Sequence, residues 1–208
     1  MDRIQTILTP GVFTTFRNVV RTLQRRSVRK KLRGQNRLHL GCGANILDGW
    51  ANLDLQGNGS VIGFDLTNRL PIDSNTIELI YSEHFIEHLT LNQTTALLAE
   101  CHRVLQSGGI IRLSTPSLKK IIDEYLVGRT SEWLDVDWTP GTPCQMVNEG
   151  LRLWGHQFVF DADELRRTLE DAGFRRVIET TWRESATPAL RGLESRPFHG
   201  EIIFEAVK

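Results

Sequence analysis

Hydrophobic and polar positions recur along the chain with two periods, and the periods mark out the elements. Val12, Phe13, Phe16, Val19, Val20 and Leu23 are spaced by three and four, which predicts an amphipathic helix within residues 11 to 33. Leu38-His39-Leu40 alternates and breaks at Gly41-Cys42-Gly43, a short strand running into a tight turn. Residues 50 to 55 form a second strand ending in Asp54-Leu55, and residues 61 to 66 a third ending in Asp65-Leu66. A fourth, 76 to 81, stops at Ser82-Glu83-His84. Leu97, Leu98, Cys101, Val104 and Leu105 form the buried stripe of a helix over 92 to 106, with Gly108-Gly109 where a left-handed cap is expected. The near-continuous apolar run 110 to 113 is a parallel strand covered on both faces.

The later chain is read in the same way. Leu118, Ile121, Ile122 and Tyr125 predict a helix over 117 to 128. Residues 129 to 155 show no period, yet carry Trp133, Trp138 and Trp154. A loop so rich in tryptophan is either a substrate lid or wall, or a loop that packs a small core of its own. Asp161-Ala162-Asp163-Glu164 is a capping-box pattern that opens a helix ending at Gly173. The strands 175 to 182 and 200 to 207, with no helical pattern between them, should pair as an antiparallel hairpin at the sheet edge, linked through 187 to 199. The sum is an α/β, doubly wound, mostly parallel seven-stranded sheet with an antiparallel C-terminal hairpin. Residues 1 to 36 are expected to form a basic helical leader, 37 to 208 the doubly wound domain, and 117 to 160 the lid or insert within it.

Charge changes the picture at one place. The net charge is zero, but residues 1 to 37 hold ten of the 25 Lys/Arg and only one of the 25 acids. Such a leader either docks on the acidic domain, closing a ligand pocket, or meets a partner such as an anionic membrane surface. No aromatic or glycine interleaving supports nucleic-acid binding. The three cysteines, Cys42, Cys101 and Cys144, form no C-x-x-C pair and no even disulfide set, and no apolar run is long enough to span a bilayer. A cytoplasmic protein, with peripheral contact at the inner membrane face through residues 11–33 as an option, is the expectation.

A glycine turn after one strand and an acid at the tip of the next is how a doubly wound sheet holds a nucleoside. Further segments follow in order: FDL (64–66), LPIDSNTIELIYSEHFIEHL (70–89) and ECHRVLQSGGIIRLSTP (100–116). With LHLGCG (38–43), these resemble the class I, Rossmann-like S-adenosylmethionine-dependent methyltransferases, particularly the type 11 branch. The segment 148–174 is similar to a subgroup associated with polysaccharide and glycosyltransferase loci. The resemblance implies S-adenosyl-L-methionine as cofactor. It implies Gly41, Cys42 and Gly43 beside the methionine part, Asp54 on the ribose hydroxyls, Asp65 and Leu66 at the adenine, and Ser82, Glu83 and His84 facing the sulfonium. It also implies a small-molecule or glycan acceptor.

Two departures stand out. Only Ala44 to Gly49 separate the glycine turn from the second strand, too few for more than about one helical turn. Glu78 replaces the usual Asp in mid-strand. Methyl transfer is an in-line displacement needing alignment, and an oxygen acceptor also needs a base. His84 and His156 are the candidates, the second lying beside the tryptophan-rich loop. No His/Cys/Asp cluster has metal-ligand spacing. Two other functions fit less of the chain. A nicotinamide-dependent oxidoreductase would need G-x-G-x-x-G, and a non-catalytic binding module would work through the basic leader.

Overall fold

The computed structural model describes residues 25–130 and 137–208. The apolar stripe predicted for 12 to 23 lies outside them, as does Trp133.

Seven strands form one sheet in the order β3-β2-β1-β4-β5-β7-β6. They are β1 (Arg37–Leu40), β2 (Ala51–Asp54), β3 (Val61–Gly63), β4 (Ile77–Glu83), β5 (Leu105–Thr115), β6 (Arg175–Glu179) and β7 (Ile202–Val207). The first five pair in parallel, and β7 runs antiparallel between β5 and the edge strand β6. This is the expected doubly wound sheet with its antiparallel C-terminal pair. The order reverses between β1 and β4, and an open α/β sheet binds its ligand at such a switch point, outside the C-terminal strand ends.

Besides a helical stretch at 25–32, four helices among the described residues cover the faces: α1 (Leu91–Val104), α2 (Leu118–Leu126), α3 (Pro143–Gly150) and α4 (Ala162–Asp171). Each begins on a side chain that accepts an orphan main-chain N–H: Thr90, Ser117, Thr142 and Asp161. Such a cap contributes about 1 kcal/mol. Thr90 and Gln93 form a full capping box. The box expected at Asp161 is half formed, because the Glu164 carboxylate takes Arg167 as its partner. The main core lies between sheet and helices, where Leu38, Leu40, Leu53, Ile80 and Leu113 meet Leu97, Leu98, Val104, Leu165 and Leu169. Each such side chain stabilises the fold by roughly 1.5–3 kcal/mol.

Three local expectations are corrected. Helix α1 ends at Val104 and β5 begins at the next residue, so Gly108 (φ +77°) is not a helix cap. Ile77 pairs with Leu105 and Leu79 with Ile110, so Gln106 to Gly109 bulge out of β5. Residues 129 to 155 are not all irregular, since they contain α3, with Pro143 at its first position, and a 3₁₀ turn, Leu153–Gly155. Ile121, Trp138 and Met146 form the small separate core that was one of the two readings of this region.

The helical stretch 25–32 buries Val28 and Leu32 in the main core and exposes its cations. A groove of about 720 Å³ beside it is lined by Arg26, Arg29, Lys30 and Arg33, and by Asn36 and Thr76, which precede β1 and β4. It therefore opens at the N-terminal strand ends, away from the glycine turn. Among the described residues no helix is long and apolar enough to cross a membrane.

Candidate active site

At the tip of β1 the backbone turns through Gly41 (φ +64°) and Gly43 (φ +52°), a conformation that L side chains resist. The two glycines serve different ends. A Cβ on Gly41 would lie 2.3 Å from Cγ of Phe85, so the bare Gly41 backbone is what the Phe85 ring packs on. A Cβ on Gly43 would meet nothing within 4 Å. Gly43 is where a ligand can approach the main chain.

Asp54, at the tip of β2, accepts from Gly43 N–H at 2.9 Å through Oδ2 and from Leu55 N–H at 2.7 Å through Oδ1. Each oxygen keeps a lone pair, so the carboxylate is held in place and can still accept from a vicinal diol. Beyond β3, Asp65 Oδ1 accepts from Thr67 N–H at 3.0 Å and Oγ–H at 2.6 Å, while Oδ2 makes no hydrogen bond among the described residues. Leu66 is a core side chain. Cys42 is buried, and burial, with Asp54 nearby, pushes its thiol up to about 11. It stays protonated and inert.

The short connection between β1 and β2 is organised by one side chain. Asn52 accepts from Leu47 N–H and donates to the carbonyls of Leu47 and Trp50. Its amide oxygen also meets His39 Nδ1 at 3.0 Å in the core. An amide thus holds the loop where a crossover helix is absent, and the glycine turn is left open on that side.

The end of β4 differs from the expectation carried by the resemblance. Ser82 is buried and donates to the Leu40 carbonyl at 3.0 Å, tying β4 to β1. Glu83 accepts from Ser195 N–H and Oγ–H and from Arg196 N–H. It anchors the loop between β6 and β7. His84, at φ +47°, stands between Glu201 (Nε2 to Oε1, 3.2 Å) and Glu87 (Nδ1 to Oε1, 3.4 Å). Burial pulls its pKa down, but the two carboxylates overcome that and hold it at about 9. An imidazolium already protonated between two acids takes no proton from an acceptor, which removes the ground for His84 as a base.

His156 is differently placed. Its Nδ1 donates to the Gly150 carbonyl at 2.9 Å, which leaves Nε2 as the acceptor nitrogen. Burial keeps its pKa below the ordinary value, so it is neutral at pH 7. Trp154 (φ +57°) and Gly155 (φ +82°) turn the chain just before it. The Trp154 ring lies 5.6 Å from Trp138 and 5.5 Å from His156, and His156 is 5.1 Å from His88. Gln157 and Phe158 N–H both donate to the Glu87 carbonyl, which fastens this loop to the Ile86–His88 turn beyond β4. Nothing local in the sequence distinguishes His88. Its relation to His156 exists only in three dimensions.

A family model described as a methyltransferase domain matches residues 50–113, which include Asp54, Asp65 and the whole of β4 but not the glycine turn. The match covers less than half of the chain. A solved S-adenosylmethionine-dependent methyltransferase from Archaeoglobus fulgidus superposes with a TM-score of 0.52 at 16% identity, over 88% of this chain and 94% of that one. The Haemonchus contortus phosphoethanolamine N-methyltransferase 2, solved with S-adenosyl-L-methionine, gives 0.51 at 14% identity over 89% of this chain, which spans 52% of its length. A methyltransferase in complex with the Haloferax volcanii activator Trm112 gives 0.51 at 12%, over 88% and 87%. No curated protein sequence matches the chain. The matched segment and the fold support one class: an S-adenosylmethionine-dependent methyltransferase of the Rossmann-like kind, with S-adenosylmethionine as its cofactor.

Proposed function

We propose that the protein transfers the methyl group to an oxygen of a small-molecule or sugar-containing acceptor seated between the end of β4 and the Trp154–His156 loop. The carrying observation is His156, a neutral imidazole with its Nδ1 proton directed to a carbonyl and its Nε2 uncommitted, beside an aromatic wall. Tryptophan faces suit a sugar or aromatic ring. On this reading Gly43 approaches the methionine part of the cofactor, Asp54 accepts from the ribose hydroxyls, and Asp65 takes the adenine amine through Oδ2. Glu83 and His84 shape the donor end of the site rather than react.

The test is calorimetric titration with S-adenosylhomocysteine, then a screen of sugar and small-molecule acceptors for methyl transfer. Binding that Asp54→Ala and Gly43→Val weaken, with turnover lost in His156→Ala, is the expected result. A folded wild-type protein that does not bind the product cofactor sinks the reading. A polysaccharide setting draws its support from the resemblance of segment 148–174 alone.

A second role is favoured by one observation. The exposed cations of residues 25–33 surround a helix pinned by Val28 and Leu32, a geometry that suits peripheral contact with an anionic surface. Co-sedimentation with anionic liposomes that survives deletion of the leader would dispose of it.

A further inference from the structure

We propose that Glu87, His88 and His156 form a binding site for one divalent first-row transition ion, which takes the acceptor oxygen as a further ligand. The inference deepens the methyl-transfer reading and rests on it for the identity of that oxygen.

One carboxylate oxygen and two imidazole nitrogens from these residues all lie within 4.8 Å of one another. Ions of this kind bind such atoms at about 2.0–2.2 Å, so small side-chain rotations bring all three to bonding distance around a common centre. A carboxylate with two imidazoles is a donor set that suits Mn²⁺, Fe²⁺, Co²⁺ or Zn²⁺, and three protein ligands leave positions open for substrate.

The surroundings are those of a ligand set. The His156 Nδ1 bond to the Gly150 carbonyl fixes the tautomer with Nε2 free, and Thr115 Oγ–H holds Glu87 Oε2 at 3.0 Å. Partners of this type orient metal ligands and raise their basicity. Glu87 is completely buried, yet its Oε1 has no hydrogen bond. Oε1 faces His84 Nδ1 at 3.4 Å as an ion pair. The charge on His84 opposes a second cation alongside, and Glu201, on the far side of the ring, offsets it. The His88 ring makes no hydrogen bond among the described residues, so no existing bond is broken.

The chemistry follows from the open positions. An acceptor hydroxyl bound to the ion is acidified and releases its proton to bulk water. The resulting oxyanion attacks the methyl carbon. A C–O bond forms as the C–S bond breaks, and the bonding pair returns to sulfur as the neutral thioether. His156 then activates the acceptor through the ion rather than by taking the proton itself.

The experiment is titration of the untagged, chelator-treated protein with Co²⁺, followed by its visible absorption, with S-adenosylhomocysteine titrated into the same sample. One Co²⁺ per chain is expected, with affinity lowered on the order of 100-fold or more in His88→Ala and His156→Ala, since losing a ligand costs at least as much as the roughly 10- to 100-fold loss of an outer-shell partner. His102→Ala, which alters a histidine packed on Phe174, should bind as wild type. No stoichiometric Co²⁺ binding by the folded wild type, or unchanged binding in both ligand variants, overturns the site. Product-cofactor binding without Co²⁺ binding defeats the ion site alone. Co²⁺ binding without product-cofactor binding upholds the ion site and defeats the methyl-transfer reading.

Discussion

The two halves of the cleft are built on opposite principles. On the β1–β2–β3 side, the Asp54 and Asp65 carboxylates are each held by two hydrogen bonds and keep lone pairs uncommitted, and Gly43 faces open space. On the β4–β5–β7 side, the charges are taken up by partners within the protein. Arg112 is fully buried on β5, and donates to Glu194, Glu205 and the carbonyls of Thr181 and Glu184. Glu83 and His84 belong to the same system, bound to Ser195, Arg196 and Glu201. One side leaves polar groups uncommitted, and the other is a clamp that holds the loop between β6 and β7 over the strand ends. A charged residue at a strand tip is therefore not evidence of ligand contact until its partners are counted.

The contrast can be broken by substitution. Arg112→Ala should have the largest effect. Glu194 and Glu205 would be left without their cation, at a cost of about 3–5 kcal/mol in urea unfolding. A loss below about 1 kcal/mol would mean that water already screens the clamp. Gly41→Ala should come next, at about 3 kcal/mol, because it combines left-handed strain with a collision against Phe85.

Asp54→Ala should do the reverse. Affinity for S-adenosylhomocysteine should fall about 10- to 100-fold, which corresponds to roughly 1.4–2.8 kcal/mol, while the melting temperature moves little. A large loss of stability with unchanged affinity would place Asp54 in the clamp class after all. Gly43→Ala should be the mildest for folding, at about 1–2 kcal/mol from φ alone, since its Cβ would meet nothing. The comparison of Gly41→Ala with Gly43→Ala by thermal unfolding thus separates a packing glycine from a ligand-facing one.

Much of the β1–β2–β3 side was legible in the sequence. Gly43 and Asp54 lie within eleven residues of each other and are joined by a local hydrogen bond. A strand-turn-strand read from alternation already places them together. The clamp was not legible, because Glu83 meets Ser195 across 112 residues and Arg112 meets Glu205 across 93. From sequence, Ser82, Glu83 and His84 looked like donor-facing polar groups, and nothing nearby announced the partners that occupy them. Helix α3 was missed although Thr142-Pro143 carried its signal, a cap residue followed by proline at the first helical position. The tryptophan-free apolar period of that stretch is only eight residues long, too short to stand out from loop.

The sequence by itself determined most of the elements, the sheet class and the placing of Gly43 beside Asp54, since those follow from hydrophobic period, glycine conformation and neighbours along the chain. Only the tertiary structure decided which charged groups remain available. Burial sets the cost of an unpaired charge, and pairing across the sheet sets which charges are already satisfied. Neither is a property of any one segment. Hence His84 is an imidazolium held between Glu87 and Glu201, while His156 keeps Nε2 uncommitted at the turn where Glu87 and His88 stand.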